Sequence, residues 1–140
     1  MRLIVDTNRV IAALIRDSLS RRIIPHLPVE FMTITILEQE VQKHKAVILQ
    51  KANLTPAEFE IIFEKLKEKM VMIDDAMVMT KIKEARQIMD KIDHDDTPFI
   101  AAALATHADI WSDDSHFERQ GKVKVWKTSN LLELIRKENQ

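Results

Sequence analysis

The chain has 140 residues, of which 46% are hydrophobic and 31% are charged, and its formal net charge at pH 7 is -1. These values predict a single globular domain over residues 1–140. The chain lacks the strong positive charge that would directly indicate binding to nucleic acid. The absence of cysteine excludes disulfides, thiol catalysis and thiolate metal sites. Since no apolar run is long enough for a membrane helix and no signal-peptide pattern begins the chain, we expect a cytoplasmic protein that does not contact a membrane.

Strands and helices are predicted to alternate along the chain. Leu3, Ile4 and Val5 form an apolar run that predicts a buried first strand. The full prediction, in chain order, is a strand at 2–6, helices at 8–17 and 19–25, a strand at 31–36, helices at 37–51 and 56–69, a strand at 71–73, a helix at 76–91, a helix opened by Asp95 or Asp96 and ending at 106, strands at 109–112 and 124–126, and a helix capped by Ser129 and ending at 137. This alternation predicts an α/β fold with a mainly parallel sheet.

The chain contains one glycine, Gly121. A P-loop and a dinucleotide fingerprint both need several glycines, so that backbone N–H groups can approach a pyrophosphate. Sites for nucleotide cofactors of these two kinds are therefore excluded.

Acidic residues stand at four places where the predicted strands end or the following helices begin. In a parallel sheet these places converge, because ligands bind in the crevice beyond the carboxyl ends of the strands. The four places are Asp6, Glu38 or Glu40, Asp95 or Asp96, and Asp113 or Asp114. Clustered carboxylates repel one another unless a cation lies between them, and an all-oxygen ligand set suits Mg²⁺ or Mn²⁺. Such a site predicts metal-dependent hydrolysis of a phosphodiester.

Each acidic residue also has a purely structural explanation. Aspartate is common at helix N-caps, so Asp96 alone is well explained as a cap. Glu40 alone fits a solvated helix face. Only the four places together indicate a metal site.

Four motifs, in this order, resemble the PIN domain family: DTN after the first strand, LEQEVQKH, HDDTPFIAAALA and WSDDSHF. The resemblance covers residues 2–132. It implies a three-layer α/β/α nuclease fold with a central parallel sheet and an acidic pocket that binds Mg²⁺ or Mn²⁺ and cuts RNA, or flap-like DNA in some branches. Many small members are dimers and toxins of toxin–antitoxin pairs, so the resemblance also implies a homodimer and an antitoxin partner.

The resemblance assigns roles to individual residues of this chain. It implies metal-binding and catalytic roles for Asp6, Glu40, Asp96 and Asp114, and it favours Glu40 over Glu38 because an apolar residue and a basic pair follow Glu40. It implies that Asn8 and Ser112 contact substrate or orient water. The basic pair, Lys43 and His44, could grip backbone phosphates or simply form a solvated helix face.

The chain departs from the family pattern at His116, where many relatives carry a further acid, so a second metal ion would bind more weakly. Asp93, Asp95 and Asp113 lie near these acids in the sequence, and Asp95 and Asp113 stay open as acids around the site. Two other functions are therefore considered: a catalytically weak RNA-binding or regulatory PIN module, and a phosphoaspartate enzyme built on Asp6. The latter is disfavoured because no second aspartate stands two residues after Asp6.

Several large apolar residues are expected in the core rather than on a binding surface. If exposed, the methionines would suit a dimer or antitoxin surface. The residues are Trp111, Trp126, Met70, Met72, Met77, Met79 and Met89.

Overall fold

The computed structural model describes residues 1–15 and 19–138. Its centre is a five-stranded parallel sheet in the order β3-β2-β1-β4-β5. The central strand β1 pairs with β2 on one side, where Leu3 faces Phe31, and with β4 on the other, where Ile4 faces Ile110. The strands are β1 (Arg2–Val5), β2 (Glu30–Ile34), β3 (Met70–Ile73), β4 (Asp109–Trp111) and β5 (Val125–Trp126).

Helices connect the strands and cover both faces of the sheet. They are α1 (Thr7–Leu14), α2 (Leu19–His26), α3 (Ile36–Lys43), α4 (Lys45–Ala52), α5 (Pro56–Glu68), α6 (Asp75–Met79), α7 (Ile82–Met89), α8 (Thr97–Thr106), α9 (Ser115–Glu118) and α10 (Thr128–Glu138), with a 3₁₀ turn at His94–Asp96. Within the described ranges, no helix has both the length and the apolar composition needed to cross a bilayer.

Alternation along β1 divides the core into two layers. Leu3 and Val5 pack with Trp111 on one face of the sheet, whereas Ile4 packs with Ile110 on the other. Successive side chains of a strand point to opposite faces, so a parallel sheet covered on both sides is apolar throughout. The predicted three-layer α/β/α architecture is therefore confirmed.

The helix predicted at 37–51 is instead two helices, α3 and α4, joined at His44. The ring Nδ1 of His44 donates to the carbonyl oxygen of Glu40 at 2.8 Å, and the backbone N–H of His44 donates to Val41. The side chain thus takes the acceptor that a continuous helix would use at this point.

The helix predicted at 76–91 is also interrupted, between α6 and α7. The Thr80 hydroxyl donates to the carbonyl oxygen of Met77 at 2.6 Å, which competes with the regular helical pattern. The first helix ends at Leu14, not at 17, and positions 16 and 17 of that prediction lie outside the described residues.

The last helix begins one residue before the predicted cap, so Ser129 lies inside α10. The first backbone N–H of that helix, on Thr128, donates to Asp113 Oδ1 at 2.7 Å. The capping group comes from a loop 15 residues earlier in the chain, which local sequence patterns do not reveal.

The expectation that the methionines lie in the core is wrong for three of them. Met70 and Met89 are buried, but Met72, Met77 and Met79 are 42%, 47% and 58% exposed. Because β3 is an edge strand, the side chains on it and on the helix that follows are not covered from the outer side. Trp111 is fully buried, as predicted, and Trp126 is half-buried.

Candidate metal centre

Asp6 lies at the junction between β1 and α1. Its exposed fraction is only 5% because this junction lies inside the fold. Its Oδ1 accepts the backbone N–H of Asn8 at 3.4 Å, and its Oδ2 accepts the Ser112 hydroxyl at 2.7 Å. Burial raises the pKa of Asp6, and the charge of Asp114 raises it further. The two hydrogen bonds and the Arg9 cation act in the opposite direction.

Ser112, at the end of β4, connects two of the predicted acids. Its buried hydroxyl donates to Asp6 and accepts the backbone N–H of Asp114 at 3.0 Å. The hydroxyl proton is used by Asp6, whereas the second lone pair of the oxygen can still accept a hydrogen bond from water. In this geometry Ser112 positions Asp6.

Asp96 lies at the N-cap position of α8 but its side chain makes no capping hydrogen bond. Capping therefore does not explain this aspartate. Burial raises the pKa of Asp96 to about 7, and the charges of Asp93, Asp6 and Asp114 contribute, while His116 lowers it. The carboxyl group thus lies in a partly buried place that already carries several negative charges.

The structure separates Glu40 from Glu38. Glu40 lines a cavity together with Asp6 and Asp96, whereas Glu38 forms an ion pair with Lys67 of α5. Burial raises the pKa of Glu40, the neighbouring Thr7 hydroxyl lowers it, and the charge of Asp6 raises it again. The preference for Glu40 that the motif implied is consistent with this placement.

The cavity has a volume of about 360 Å³ and opens at the carboxyl ends of β1 and β2. Three of the four predicted acids line it, namely Asp6, Glu40 and Asp96. Asn8, Lys43 and His44 also lie on its wall, as does Asp95. Asp114 is not on the wall, but its charge acts on both Asp6 and Asp96. All four predicted acids therefore come together although they are far apart in sequence.

Asp113 has a different environment from its neighbour Asp114. Its Oδ2 accepts the Thr128 hydroxyl at 2.6 Å and an Arg9 N–H at 2.7 Å, and its Oδ1 accepts the Thr128 backbone N–H. The Thr128 hydroxyl in turn accepts the indole N–H of Trp111 at 3.1 Å. Asp113 therefore ties α1 and α10 to the end of β4.

Two further groups adjoin the acids and were not assigned to the metal set from sequence. His116 Nδ1 lies 3.1 Å from Asp93 Oδ2, 3.5 Å from Asp96 Oδ2 and 3.4 Å from Asp114 Oδ1. Asp93, Asp96 and His116 together could hold a metal ion. The signal for Asp93 was its position three residues before Asp96, at a turn that the sequence did not predict as a 3₁₀ helix.

These residues fit a divalent cation on chemical grounds. Asp96 Oδ2 and His116 Nδ1 are buried and, within the described residues, neither has a hydrogen-bond partner. Buried polar atoms without partners cost free energy, and neighbouring carboxylates resist ionising together. A divalent cation bound by these oxygen and nitrogen atoms relieves both effects.

Comparisons with known proteins agree with this architecture. A family model of the PIN domain matches residues 4–136 of the chain. Among solved structures, a chain in the crystal structure of VapBC2 from Rickettsia felis bound to a DNA fragment from their promoter is similar, with a TM-score of 0.71 and 15% sequence identity over 91% of this chain and 98% of that chain. At that identity the likeness shows the fold alone. Comparison with curated proteins gives no match.

Proposed function

The chain belongs to the PIN domain family, and from this premise we propose that it is a divalent-metal-dependent ribonuclease of the cytoplasm. The observation that carries the proposal is the convergence of Asp6, Glu40 and Asp96 on one cavity, with Asp114 beside them. Membership of the family supports a nuclease. The density of carboxylates supports a metal-dependent one.

The metal ligands in this proposal are Asp6, Glu40, Asp96 and Asp114, and the cation is Mg²⁺ or Mn²⁺. When bound, the cation supplies a water nucleophile at neutral pH and stabilises the charge that develops on phosphorus oxygens. Hydrolysis adds the hydroxyl of water to phosphorus and its proton to the 3′ oxygen, so the products carry a 5′-phosphate and a 3′-hydroxyl.

The chain's own residues orient the carboxylates and receive the substrate. The Ser112 hydroxyl holds one oxygen of Asp6, and the Asn8 N–H holds the other. In this proposal Lys43, which is exposed on the cavity wall, binds a backbone phosphate, and His44 and Asn8 on the same wall contact the substrate. Cationic contacts of this kind give RNA affinity that falls as salt rises.

The test is cleavage of a 5′-labelled single-stranded RNA by the wild type and by Asp6→Asn, with Mg²⁺, Mn²⁺ or EDTA. We expect cleavage only by the wild type, and only when Mg²⁺ or Mn²⁺ is present. Glu40→Gln and Glu38→Gln form a matched pair on α3: the first should lose cleavage, and the second should keep it because Glu38 faces Lys67.

Cleavage by Asp6→Asn at the wild-type rate would overturn the assignment. RNA binding without cleavage, and without calorimetric metal binding, would favour the alternative, which is an RNA-binding or regulatory PIN module. His116, at a position where the family resemblance implies an acid, supports this alternative.

We further propose that the nuclease is the toxin of a toxin–antitoxin pair. The similar chain comes from a structure named VapBC2 that is bound to promoter DNA, and this chain spans nearly all of that chain's length. Induced synthesis of the wild type should arrest growth of a bacterial host, and Asp6→Asn at equal abundance should not. Equal arrest by both would contradict the toxin proposal.

We also propose a homodimer that uses the β3 edge patch, defined as the exposed side chains of Val71, Met72, Met77 and Met79. A two-fold dimer needs a surface that complements itself. If two copies of β3 pair in antiparallel register about Val71 and Met72, Lys69 of one copy lies opposite Asp74 of the other. Opposite charges at such positions favour that register.

A further inference from the structure

His116 lies among carboxylates in a way that an ordinary ion pair does not explain. Its Nδ1 is 3.1 to 3.5 Å from one oxygen each of Asp93, Asp96 and Asp114. A protonated imidazole would be expected to donate its N–H to one of these oxygens. Nδ1 is instead a buried atom without a hydrogen-bond partner in the part of the chain that the structure describes.

The spacing matches the spacing of ligands around one cation. Two ligand atoms about 2.1 Å from an ion lie roughly 3.0 Å apart at right angles and roughly 3.4 Å apart in a tetrahedron. The separations of Nδ1 from Asp93 Oδ2 and Asp96 Oδ2 are 3.1 and 3.5 Å. Asp96 Oδ2 is itself buried and unpartnered, so both orphan atoms face the same small space.

We propose that His116 supplies a nitrogen ligand, together with Asp93 and Asp96, so that the centre prefers a first-row transition cation such as Mn²⁺ over Mg²⁺. The inference rests on the proposed function, since it concerns the same metal centre. Imidazole favours transition cations, whereas carboxylate and water ligands alone suit Mg²⁺. In this arrangement His116 changes which cation is selected, because it adds a nitrogen ligand to Asp93 and Asp96.

Asp93 gains a defined role in this arrangement. Its Oδ1 accepts the backbone N–H of Asp95 at 3.0 Å, which fixes the carboxylate, and its Oδ2 points toward His116. One oxygen is thus used for the 3₁₀ turn and the other is left for the cation. The opposing explanation is that His116 is a permanent cation that neutralises the acids and replaces an ion.

The experiment is electron spin echo envelope modulation of Mn²⁺ bound to the full chain, with calorimetric titration of Mn²⁺ and Mg²⁺. We expect ¹⁴N modulation from an imidazole in the wild type. His116→Asp retains an oxygen ligand, so it should still bind Mn²⁺ but lose the modulation, and its preference for Mn²⁺ over Mg²⁺ should fall by about tenfold or more.

Two control variants identify the histidine. His44 Nδ1 is hydrogen-bonded to the Glu40 carbonyl oxygen, and His94 is exposed and paired with Asp95, so His44→Gln and His94→Gln should both keep the nitrogen modulation. Circular dichroism checks that each variant is folded.

The outcomes separate the two proposals. Mn²⁺ binding without nitrogen modulation in the wild type, or modulation that survives His116→Asp, would overturn the role of His116 and leave the nuclease proposal standing. The absence of any Mn²⁺ or Mg²⁺ binding would overturn the metal-dependent function, and the inference with it.

Discussion

At the scale of single residues, Asp96 couples the candidate site to the stability of the fold. Its pKa is about 7 in the folded chain against an ordinary value of 3.8. Between those values the folded chain binds more protons than the unfolded chain, so the free energy of unfolding decreases as pH rises through this window. Above the window the folded state holds an ionised carboxylate in unfavourable surroundings.

Asp96→Asn should therefore stabilise the metal-free protein at pH 8 and have little effect near pH 4. The expected gain at pH 8 is about 1–3 kcal/mol, less than the roughly 4 kcal/mol of a full shift because water screens a half-open site. The side chain makes no capping bond that asparagine would lose. Urea unfolding in EDTA across this pH range measures the difference, and parallel pH profiles for the two proteins would contradict it.

A divalent cation should reverse the stability order, so that the wild type becomes more stable than Asp96→Asn. A ligand that binds only the folded state adds to stability in proportion to the logarithm of its concentration over Kd. Mn²⁺ at pH 8 should raise the Tm of the wild type by several degrees and leave Asp96→Asn almost unchanged. An equal increase in the Tm of both proteins would show that the cation does not bind at Asp96.

The adjacent residues Asp113 and Asp114 should respond in opposite ways to substitution. Asp113→Asn loses charged hydrogen bonds to Arg9 and Thr128, and we expect a loss of about 1–2 kcal/mol in stability with metal affinity nearly unchanged. Asp114→Asn should weaken metal binding about tenfold or more with a small change in Tm. Thermal unfolding and calorimetry on both variants test this, and a loss of metal binding in both would remove the distinction.

The sequence alone predicted the four places at which acids lie near the site. It did not predict that adjacent acids such as Asp113 and Asp114 have different hydrogen-bond partners. Strand ends and turn positions follow from apolar runs and helix starts, which are local patterns. The separation of Asp113 from Asp114 depends on Thr128, and that of Glu38 from Glu40 depends on Lys67. Both partners lie far along the chain, so only the folded structure distinguishes the members of each pair.

At the scale of elements, α8 sets the distance between Asp96 and the sheet. Three of its six buried residues are alanine, Ala101, Ala102 and Ala103, which lets the helix backbone lie close to β1 and β4. The apolar run made this helix predictable. The breaks at His44 and Thr80 were not predictable, because each arises from one side chain that bonds to a carbonyl within an otherwise helical pattern.

Ala102→Leu should destabilise the protein and weaken metal binding together. A leucine in a packed alanine position costs about 1–3 kcal/mol, and the helix shift that accommodates it would move Asp96 away from Asp6. Ala57→Leu, at an exposed position of α5, is the matched control and should change stability by less than about 0.5 kcal/mol. Tight metal binding by a destabilised Ala102→Leu would show that α8 does not set the site.

At the scale of the whole molecule, the strand order brings together parts of the site that are far apart along the chain. β1 contributes Asp6 and β4 leads to Asp114, and the two strands are neighbours. The opposite edge of the sheet, at β3, carries the β3 edge patch. The candidate catalytic centre and the proposed dimer surface are therefore on different parts of the sheet.

Val71→Lys should convert the proposed homodimer into a monomer without removing metal binding. Light scattering after size exclusion should give twice 16.3 kDa for the wild type and 16.3 kDa for the variant. Ile61→Lys, which changes a 57% exposed apolar side chain on α5, is the control and should remain dimeric. A monomeric wild type would contradict the homodimer.

The position of β1 in the centre of the sheet has a consequence during translation. This strand leaves the ribosome before either of its neighbours, and one of them, β4, is made only after β2, β3 and the helices up to α8. Until β4 is made, β1 lacks its partner on that side, and Asp114 has not yet been added to the chain. The acidic centre that joins Asp6 to Asp114 therefore cannot be complete before the ribosome has passed the codon for residue 114.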